Sequence, residues 1–150
     1  MSTKKITEYR TLLNVTKAAT LKELKTIYRD AMKDSHPDKF TNDDERVAAE
    51  DKAAAIIAAY HFLVSIAPET LEKDKAAYTQ TTTTSNIEDF YYENSILTVS
   101  FLDGHQYEYF GVPKAIYIKM VNADSPGRFA RRHIYSSYVY RSSSKLVAAE

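Results

Sequence analysis

The chain has 150 residues, as many acidic as basic side chains, and no cysteine. A chain of this length can form one domain or two domains with small cores. Zero net charge indicates no general preference for nucleic acids or membranes, and the lack of cysteine excludes a disulfide scaffold and a cysteine-ligated zinc site. The first residues are polar, so we expect no signal peptide or membrane anchor and predict a cytoplasmic protein.

Helical periodicity dominates the first half of the chain. From residue 21 apolar side chains recur at spacings of three and four, which predicts a helix with one buried face, and Thr20 with Glu23 forms a capping box at its start. The opposite face carries a basic strip formed by Lys22, Lys25, Arg29 and Lys33. Asn42 predicts the start of a second helix. Its apolar seam comprises Ala49, Ala53, Ile56, Tyr60 and Leu63.

The tripeptide His36-Pro37-Asp38, followed by Lys39, lies between these two helices. Proline cannot continue a helix, and its ring pushes the preceding residue towards an extended conformation, so the first helix should end just before the tripeptide. We therefore predict that the tripeptide forms the tip of a helical hairpin. A tripeptide alone is a weak signal, and here the flanking helices supply the specificity.

Residues 8–78 resemble the J-domain of DnaJ-type co-chaperones, with residues 36–39 as its signature loop and residues 71–78 as a short fourth helix. The resemblance implies that the loop and the basic strip dock on the ATP-bound form of a DnaK-type chaperone and trigger ATP hydrolysis. In this family Asp38 would pair with an arginine of the chaperone, His36 would orient the loop and Pro37 would stiffen it. The chain departs from the family pattern at Asp34, Ser35, Ala53 and Ile57.

The second half of the chain alternates like β-structure and is rich in tyrosine. Residues 79–86 are polar, turn-prone and without periodicity, so we interpret them as a linker. Residues 90–92 and 96–101 are predicted strands, and Asp103-Gly104 marks a hairpin. A three-residue loop with Gly104 in the left-handed conformation keeps the apolar faces together, whereas a two-residue loop would turn a carboxylate inwards. It aligns Leu97 with Tyr109, Val99 with Tyr107 and Phe101 with His105, and leaves Thr98, Ser100, Gln106 and Glu108 outside.

A helix and a last strand complete this half. Pro113 suits the first turn of the helix, Ser125-Pro126-Gly127 should end it, and residues 138–140 read as the strand. The predicted inner face of the helix comprises Ile116, Tyr117, Met120, Val121 and Ala123. The fold class is therefore α+β, an all-α J-domain helical hairpin followed by a small antiparallel β-β-β-α-β domain. The predicted segments are a J-domain at 5–78, a linker at 79–86, a second domain at 87–141 and a tail at 142–150.

Residues 85–141 resemble the KTSC domain, which is found at the C-terminus of some bacterial lysyl-tRNA synthetases and as a small free-standing protein. The resemblance rests on Ser85-x-Ile87, Leu97-x-Val99-x-Phe101, Tyr107-x-Tyr109, Gly111-Val112-Pro113, Ala123-x-Ser125-x-Gly127 and Tyr138-x-Tyr140. It implies a fold more firmly than an activity, since RNA binding is suggested chiefly by the synthetase context.

Two kinds of side chain could contact RNA in this half. Tyr107 and Tyr109 could stack on bases, but the predicted register turns both rings into the core. A better candidate is a basic cluster that could hold phosphates, although it could equally be a charged rim that balances the acidic hairpin. This cluster comprises Lys114, Lys119, Arg128, Arg131, Arg132 and Arg141.

No pattern indicates catalysis, a cofactor or a metal site. The four histidines lack ligand spacing, and there is neither a glycine-rich phosphate loop nor a nucleophile elbow. The leading hypothesis is a non-enzymatic J-domain co-chaperone that recruits a DnaK-type chaperone through its first half and an unknown client protein or site through its second. One alternative is an RNA- or ribosome-associated adaptor, and another is a decoy, of the kind a virus could use, that occupies the chaperone without delivering a client.

Overall fold

The computed structural model describes residues 3–35 and 40–143. Its internal contacts divide the chain into an N-terminal unit, Ile6–Thr70, and a C-terminal unit that begins at Leu71. Helices form the first part of the chain: α1 (Thr3–Leu13), α2 (Leu21–Ser35), α3 (Asp43–Ser65) and α4 (Pro68–Thr84). The chain passes from one unit to the other within α4. In the part of the chain described, no single helix is long and apolar enough to cross a membrane, and only the bent pair α3 and α4 together meets that criterion.

The predicted helix starts of the N-terminal unit are confirmed. The Thr20 hydroxyl oxygen accepts a hydrogen bond from the Glu23 amide at 3.1 Å, and the Asn42 side chain accepts from the amides of Asp44 and Glu45 at 2.8 and 3.2 Å. These bonds satisfy amide groups that have no partner within the helix. The predicted seam of α3 is also confirmed, because four of its five residues are buried and Tyr60 is half-buried.

The C-terminal unit is a four-stranded antiparallel sheet with helices, so the predicted α+β class is confirmed. Its strands are hydrogen-bonded in the order β1-β2-β3-β4. The elements are β1 (Ile87–Glu93), β2 (Ile96–Phe101), β3 (Gln106–Phe110), α5 (Lys114–Asn122), α6 (Pro126–His133) and β4 (Val139–Ser142). One core forms between the sheet and the helices, and the strands β2 and β3 supply the residues at its centre.

The predicted register of the β2-β3 hairpin is confirmed. Leu97 lies opposite Tyr109 and Val99 opposite Tyr107. Gly104 has a φ of 96°, the left-handed region that the three-residue loop requires, and its amide donates to the Phe101 carbonyl at 3.0 Å. The apolar side chains of both strands consequently share the face that packs against the helices.

The turn-prone interpretation of residues 79–86 is wrong for residues 79–84, which form the last turns of α4. The hydroxyls of Thr82, Thr83 and Thr84 donate back to carbonyls one turn earlier, as Thr83 does to Thr79 at 2.6 Å, so these polar groups are satisfied within the helix. The Thr81 hydroxyl instead donates to Asp103. Two of the threonines, Thr81 and Thr82, are buried. Tertiary packing therefore overrides the weak helix propensity of threonine. The division of the chain at 79–86 stays a prediction.

The predicted single helix between β3 and β4 is two helices. α5 ends at Asn122, before Ser125. Ser125 instead starts α6, because its hydroxyl oxygen accepts from the Arg128 amide at 3.3 Å and Pro126 occupies the first helical position. The predicted inner face of α5 is confirmed at Met120, which is 0% exposed in the core, and is wrong at Val121, which is 48% exposed. The outward position predicted for Thr98 is also wrong, since this residue is 2% exposed on an inner strand with Tyr91 and Glu108 as its cross-strand neighbours.

Tyr78 on α4 connects this helix to the sheet. Its hydroxyl donates to the Tyr135 carbonyl at 2.6 Å and lies 3.0 Å from the Tyr109 hydroxyl. Its ring stacks on Tyr140 with 3.9 Å between centroids and meets Tyr107 edge-on at 4.9 Å. Tyr78 therefore joins α4 to the core of the C-terminal unit.

We expect Tyr78→Ala to destabilise the C-terminal unit by about 3 to 5 kcal/mol, because it removes a packed aromatic ring. Tyr78→Phe, which removes only the hydroxyl, should cost about 1 to 3 kcal/mol because buried acceptors lose their donor. Denaturant unfolding followed by near-UV circular dichroism measures both. The control is Tyr91→Ala, since Tyr91 is 59% exposed, and a similar loss in that variant would contradict the assignment.

Candidate functional site

The first candidate surface is the basic strip on α2. Lys22, Lys25, Arg29 and Lys33 all reach the solvent. Among the described residues, none of the four forms an ion pair. The opposite side of α2 is held by Leu24, which is 2% exposed, and the Leu21 amide donates to the Glu69 carboxylate at 2.9 Å. The strip therefore presents unpaired positive charge from a helix whose orientation is fixed by its buried face.

α2 and α3 run antiparallel, as the predicted hairpin requires. Tyr28 of α2 stacks on Tyr60 of α3 with 4.1 Å between ring centroids. Closer to the tip, Ser35 and Ala49 line one groove, whereas Leu24 lies beside Leu63 at the other end. The C-terminal end of α2 therefore lies beside the N-terminal half of α3, as in an antiparallel pair.

The signature loop, His36 to Lys39, lies outside the described residues. Both of its flanks are described: α2 ends at Ser35, and Asn42 caps α3. Two departures from the family pattern lie in the packed region, since Ser35 is 4% and Ala53 is 7% exposed. Both positions carry small side chains where the family pattern has larger ones, so these two buried residues contribute little side-chain volume to the packing between α2 and α3.

The structure separates the members of the predicted C-terminal basic cluster. Arg128 and Arg131 line a common cavity in the C-terminal unit. Arg132 is exposed on the same helix but does not line that cavity, and Lys114 and Lys119 are exposed on α5. Arg141 is engaged elsewhere: its Nε donates to Glu108 at 2.9 Å.

Apart from the two arginines, no lining residue of that cavity was predicted as a site residue, and three of those missed carry short polar side chains: Ser85, Asn86 and Ser125. The motifs Ser85-x-Ile87 and Ala123-x-Ser125-x-Gly127 contain two of them, but sequence alone does not bring the motifs together. The register of β1 and the start of α6 do so. The Ser125-Pro126 pair is the signal that could have revealed α6, because serine caps helices and proline favours their first turn.

The two tyrosines of β3 belong to the core, as the predicted register requires. Tyr107 and Tyr109 are both 0% exposed. Burial raises the pKa of Tyr109 well above its usual value and that of Tyr140 to about 12. Because the rings of Tyr107 and Tyr109 are buried, they cannot act as a stacking platform for bases.

Two carboxylates contact this core with opposite pKa shifts. Burial raises the pKa of Asp74, and the nearby His105 and Tyr107 offset only part of that effect. Oδ2 of Asp74 is buried and makes no hydrogen bond with the described residues. Partial burial also acts on Asp103, but hydrogen bonds from the His105 amide at 3.0 Å and the Thr81 hydroxyl at 2.7 Å outweigh it and lower its pKa.

Comparison with known protein families matches residues 8–70 to the DnaJ domain and residues 83–138 to the KTSC domain. The chain therefore contains a DnaJ domain followed by a KTSC domain, and both resemblances are confirmed. No curated protein matches the chain significantly. The DnaJ domain supports a general role as a J-domain co-chaperone, a class whose partner is a chaperone of the DnaK type. Among the described residues, no group of three acidic or histidine side chains could hold a metal ion.

The two carboxylates give a test that depends on pH. We expect Asp74→Asn to stabilise the C-terminal unit at neutral pH, because it removes a charge that folding disfavours. The gain should shrink as pH falls through the raised pKa and vanish below the ordinary value of 3.8, where Asp74 is protonated in both states.

Asp103→Asn is the matched control and should behave in the opposite way. Its lowered pKa means that ionised Asp103 contributes stability above pH 3.8, which is lost as pH falls. The variant should therefore be less stable than the wild type at neutral pH and should match it in acid. Urea unfolding at several pH values measures both variants, and shifts of the same sign would show that the pKa assignments are wrong.

Proposed function

We propose that this protein stimulates ATP hydrolysis by a DnaK-type chaperone, with the loop His36-Pro37-Asp38-Lys39 and the basic strip as its docking surface. The observation that carries the proposal is the sequence of the loop between the ends of an antiparallel helical hairpin within a DnaJ domain. Asp38 supplies a carboxylate for a charge-assisted hydrogen bond with an arginine of the chaperone. His36 orients the loop and Pro37 restricts its backbone.

The basic strip acts at longer range in this proposal. Its four charges project from one helix face without internal ion pairs among the described residues, so they attract an acidic surface of the chaperone before contact. Asp30 and Asp34 lie on the same helix and reduce its net charge. The strip therefore increases the rate of encounter, while the loop determines whether hydrolysis follows.

The protein has no catalytic role of its own in this proposal and needs no cofactor. The chaperone performs the chemistry in the cytoplasm, and the C-terminal unit recruits an unknown client protein or site. The exposed polar cavity and the separate fold of that unit support a recruiting role. The decoy alternative differs in one measurable respect, because a decoy would bind the chaperone without accelerating hydrolysis.

We expect the full chain to accelerate single-turnover ATP hydrolysis by a bacterial DnaK-type chaperone, and His36→Gln or Asp38→Asn to abolish the acceleration. The control is Asp51→Asn, which removes an exposed carboxylate of α3 away from the loop. Circular dichroism should show unchanged helicity in all three variants. Equal acceleration by the wild type and both loop variants would exclude this docking mode, and binding without acceleration would indicate the decoy.

Lys25→Ala with Arg29→Ala should weaken docking several-fold, mainly through a slower association rate, because exposed charges contribute steering rather than fixed contacts. Raised salt should weaken wild-type docking in the same way. Lys114→Ala with Lys119→Ala removes the same charge from α5 and should leave the rate unchanged. Surface plasmon resonance with immobilised chaperone measures this, and association insensitive to both salt and the α2 charges would assign the strip to solubility alone.

A further inference from the structure

A concave site in the C-terminal unit is distinct from the chaperone-docking surface. It has a volume of about 200 Å³, with room for several water molecules. Residues before β1 form one side of it, and the start of α6 forms the other. The lining residues that matter here are Ser85, Asn86, Ser125, Gly127, Arg128 and Arg131.

The charge of this cavity is positive. Arg128 and Arg131 are three positions apart on α6, so both side chains lie on one face of the helix. No acidic residue lines the cavity, and neither arginine forms an ion pair with any residue that the structure describes. Asp103 is connected to the cavity through its amide, which donates to the Ser85 hydroxyl, but its carboxylate is engaged by Thr81 and His105.

The donors of the cavity are held in position. Nε of Arg131 donates to the Thr82 carbonyl at 3.1 Å, which anchors one edge of the planar guanidinium and leaves its other N–H groups fixed in direction. The Arg128 amide donates a hydrogen bond to the Ser125 hydroxyl oxygen at 3.3 Å, which fixes the backbone from which this side chain projects. Gly127 contributes no side chain, so the polypeptide backbone itself forms part of the wall. Positioned donors bind an anion with less loss of side-chain freedom than mobile ones.

We propose that this cavity binds a phosphate group, carried either by a small phosphorylated compound or by the backbone of RNA. Two arginines without a carboxylate partner favour a multiply charged oxyanion, which can accept parallel hydrogen bonds from a guanidinium. Ser85 and Asn86 supply additional polar groups across the cavity, and the start of α6 adds a favourable dipole. The proposal does not depend on the co-chaperone function, because all its residues lie in the C-terminal unit.

The test is titration of the full-length protein with inorganic phosphate, AMP and a short oligouridylate at low salt. Binding is followed by NMR through the backbone amide of Gly127 and the side-chain Nε–H of Arg131. We expect saturable shifts at both groups for all three probes. Tighter binding of the oligouridylate than of AMP would identify RNA as the source of the phosphate, and equal or weaker binding would identify small phosphorylated compounds.

Arg128→Ala should weaken phosphate binding about tenfold or more, the effect of losing one charge-assisted contact of roughly 1.5 to 3 kcal/mol. Arg132→Ala, the matched control on the same helix, should change it less than about twofold, since Arg132 does not line the cavity and its charge acts only through solvent. Gly127→Ala keeps both arginines but narrows the cavity. A Cβ at this position would lie 3.8 Å from the Ile87 side chain, so the variant should fold normally and bind several-fold more weakly.

Two results would overturn the proposal. One is the absence of saturable binding of inorganic phosphate and AMP at millimolar concentrations, with the wild type folded. The other is equal weakening by Arg128→Ala and Arg132→Ala with no effect of Gly127→Ala, because that pattern describes a diffuse basic surface rather than a built cavity.

Discussion

The hydrogen bond from the Tyr78 hydroxyl to the Tyr135 carbonyl, 2.6 Å long, fixes α4 against the segment between α6 and β4 in the C-terminal unit. A buried hydroxyl costs free energy unless it has a partner, and this one lies within hydrogen-bonding distance of the Tyr109 hydroxyl as well. The surrounding tyrosine rings stack and meet edge-on, so packing and hydrogen bonding require the same position of α4. Burial raises the pKa of Tyr78 far above neutrality, and the hydroxyl therefore remains a donor.

Because of this interaction, the C-terminal unit includes residues that precede the KTSC match. The family matches leave residues 71–82 unassigned, since one ends at residue 70 and the other begins at residue 83. Those residues nevertheless provide Tyr78 and the buried Thr81, whose hydroxyl donates to Asp103 in the β2-β3 hairpin at 2.7 Å. The hairpin loop and the helix thus stabilise each other. A C-terminal fragment that starts at Ser85 would lack these contacts.

The parts of the fold that sequence could predict are those governed by local rules. Alternation of apolar residues and Gly104 determined the β2-β3 register, because a shift by one residue would bury charge. Asn42 and Thr20 predicted where helices begin, because the first amide groups of any helix need hydrogen-bond acceptors from outside it. The threonine run of α4 could not be predicted, because its burial depends on residues of the sheet that lie far away in sequence. The cavity beside α6 was missed for the same reason: its two sides lie about forty residues apart in the chain, as Ser85 and Ser125 show.

The basic residues of this chain show why a count of charges does not identify a binding site. Arg141 and Arg128 are the same residue type in the same unit, but Arg141 donates to Glu108 whereas Arg128 has no carboxylate partner among the described residues. Only Arg128 therefore keeps a positive charge that an anionic ligand can pair with. The strip on α2 differs again, because its side chains reach the solvent from a convex face, where charges act over distance and are screened by salt. An anchored guanidinium in a cavity acts at contact and depends on geometry. Ligand binding at the strip on α2 and at the cavity beside α6 should consequently depend differently on salt concentration. The difference follows from the shape of the protein around each charge, which the order of charged residues in the sequence does not reveal.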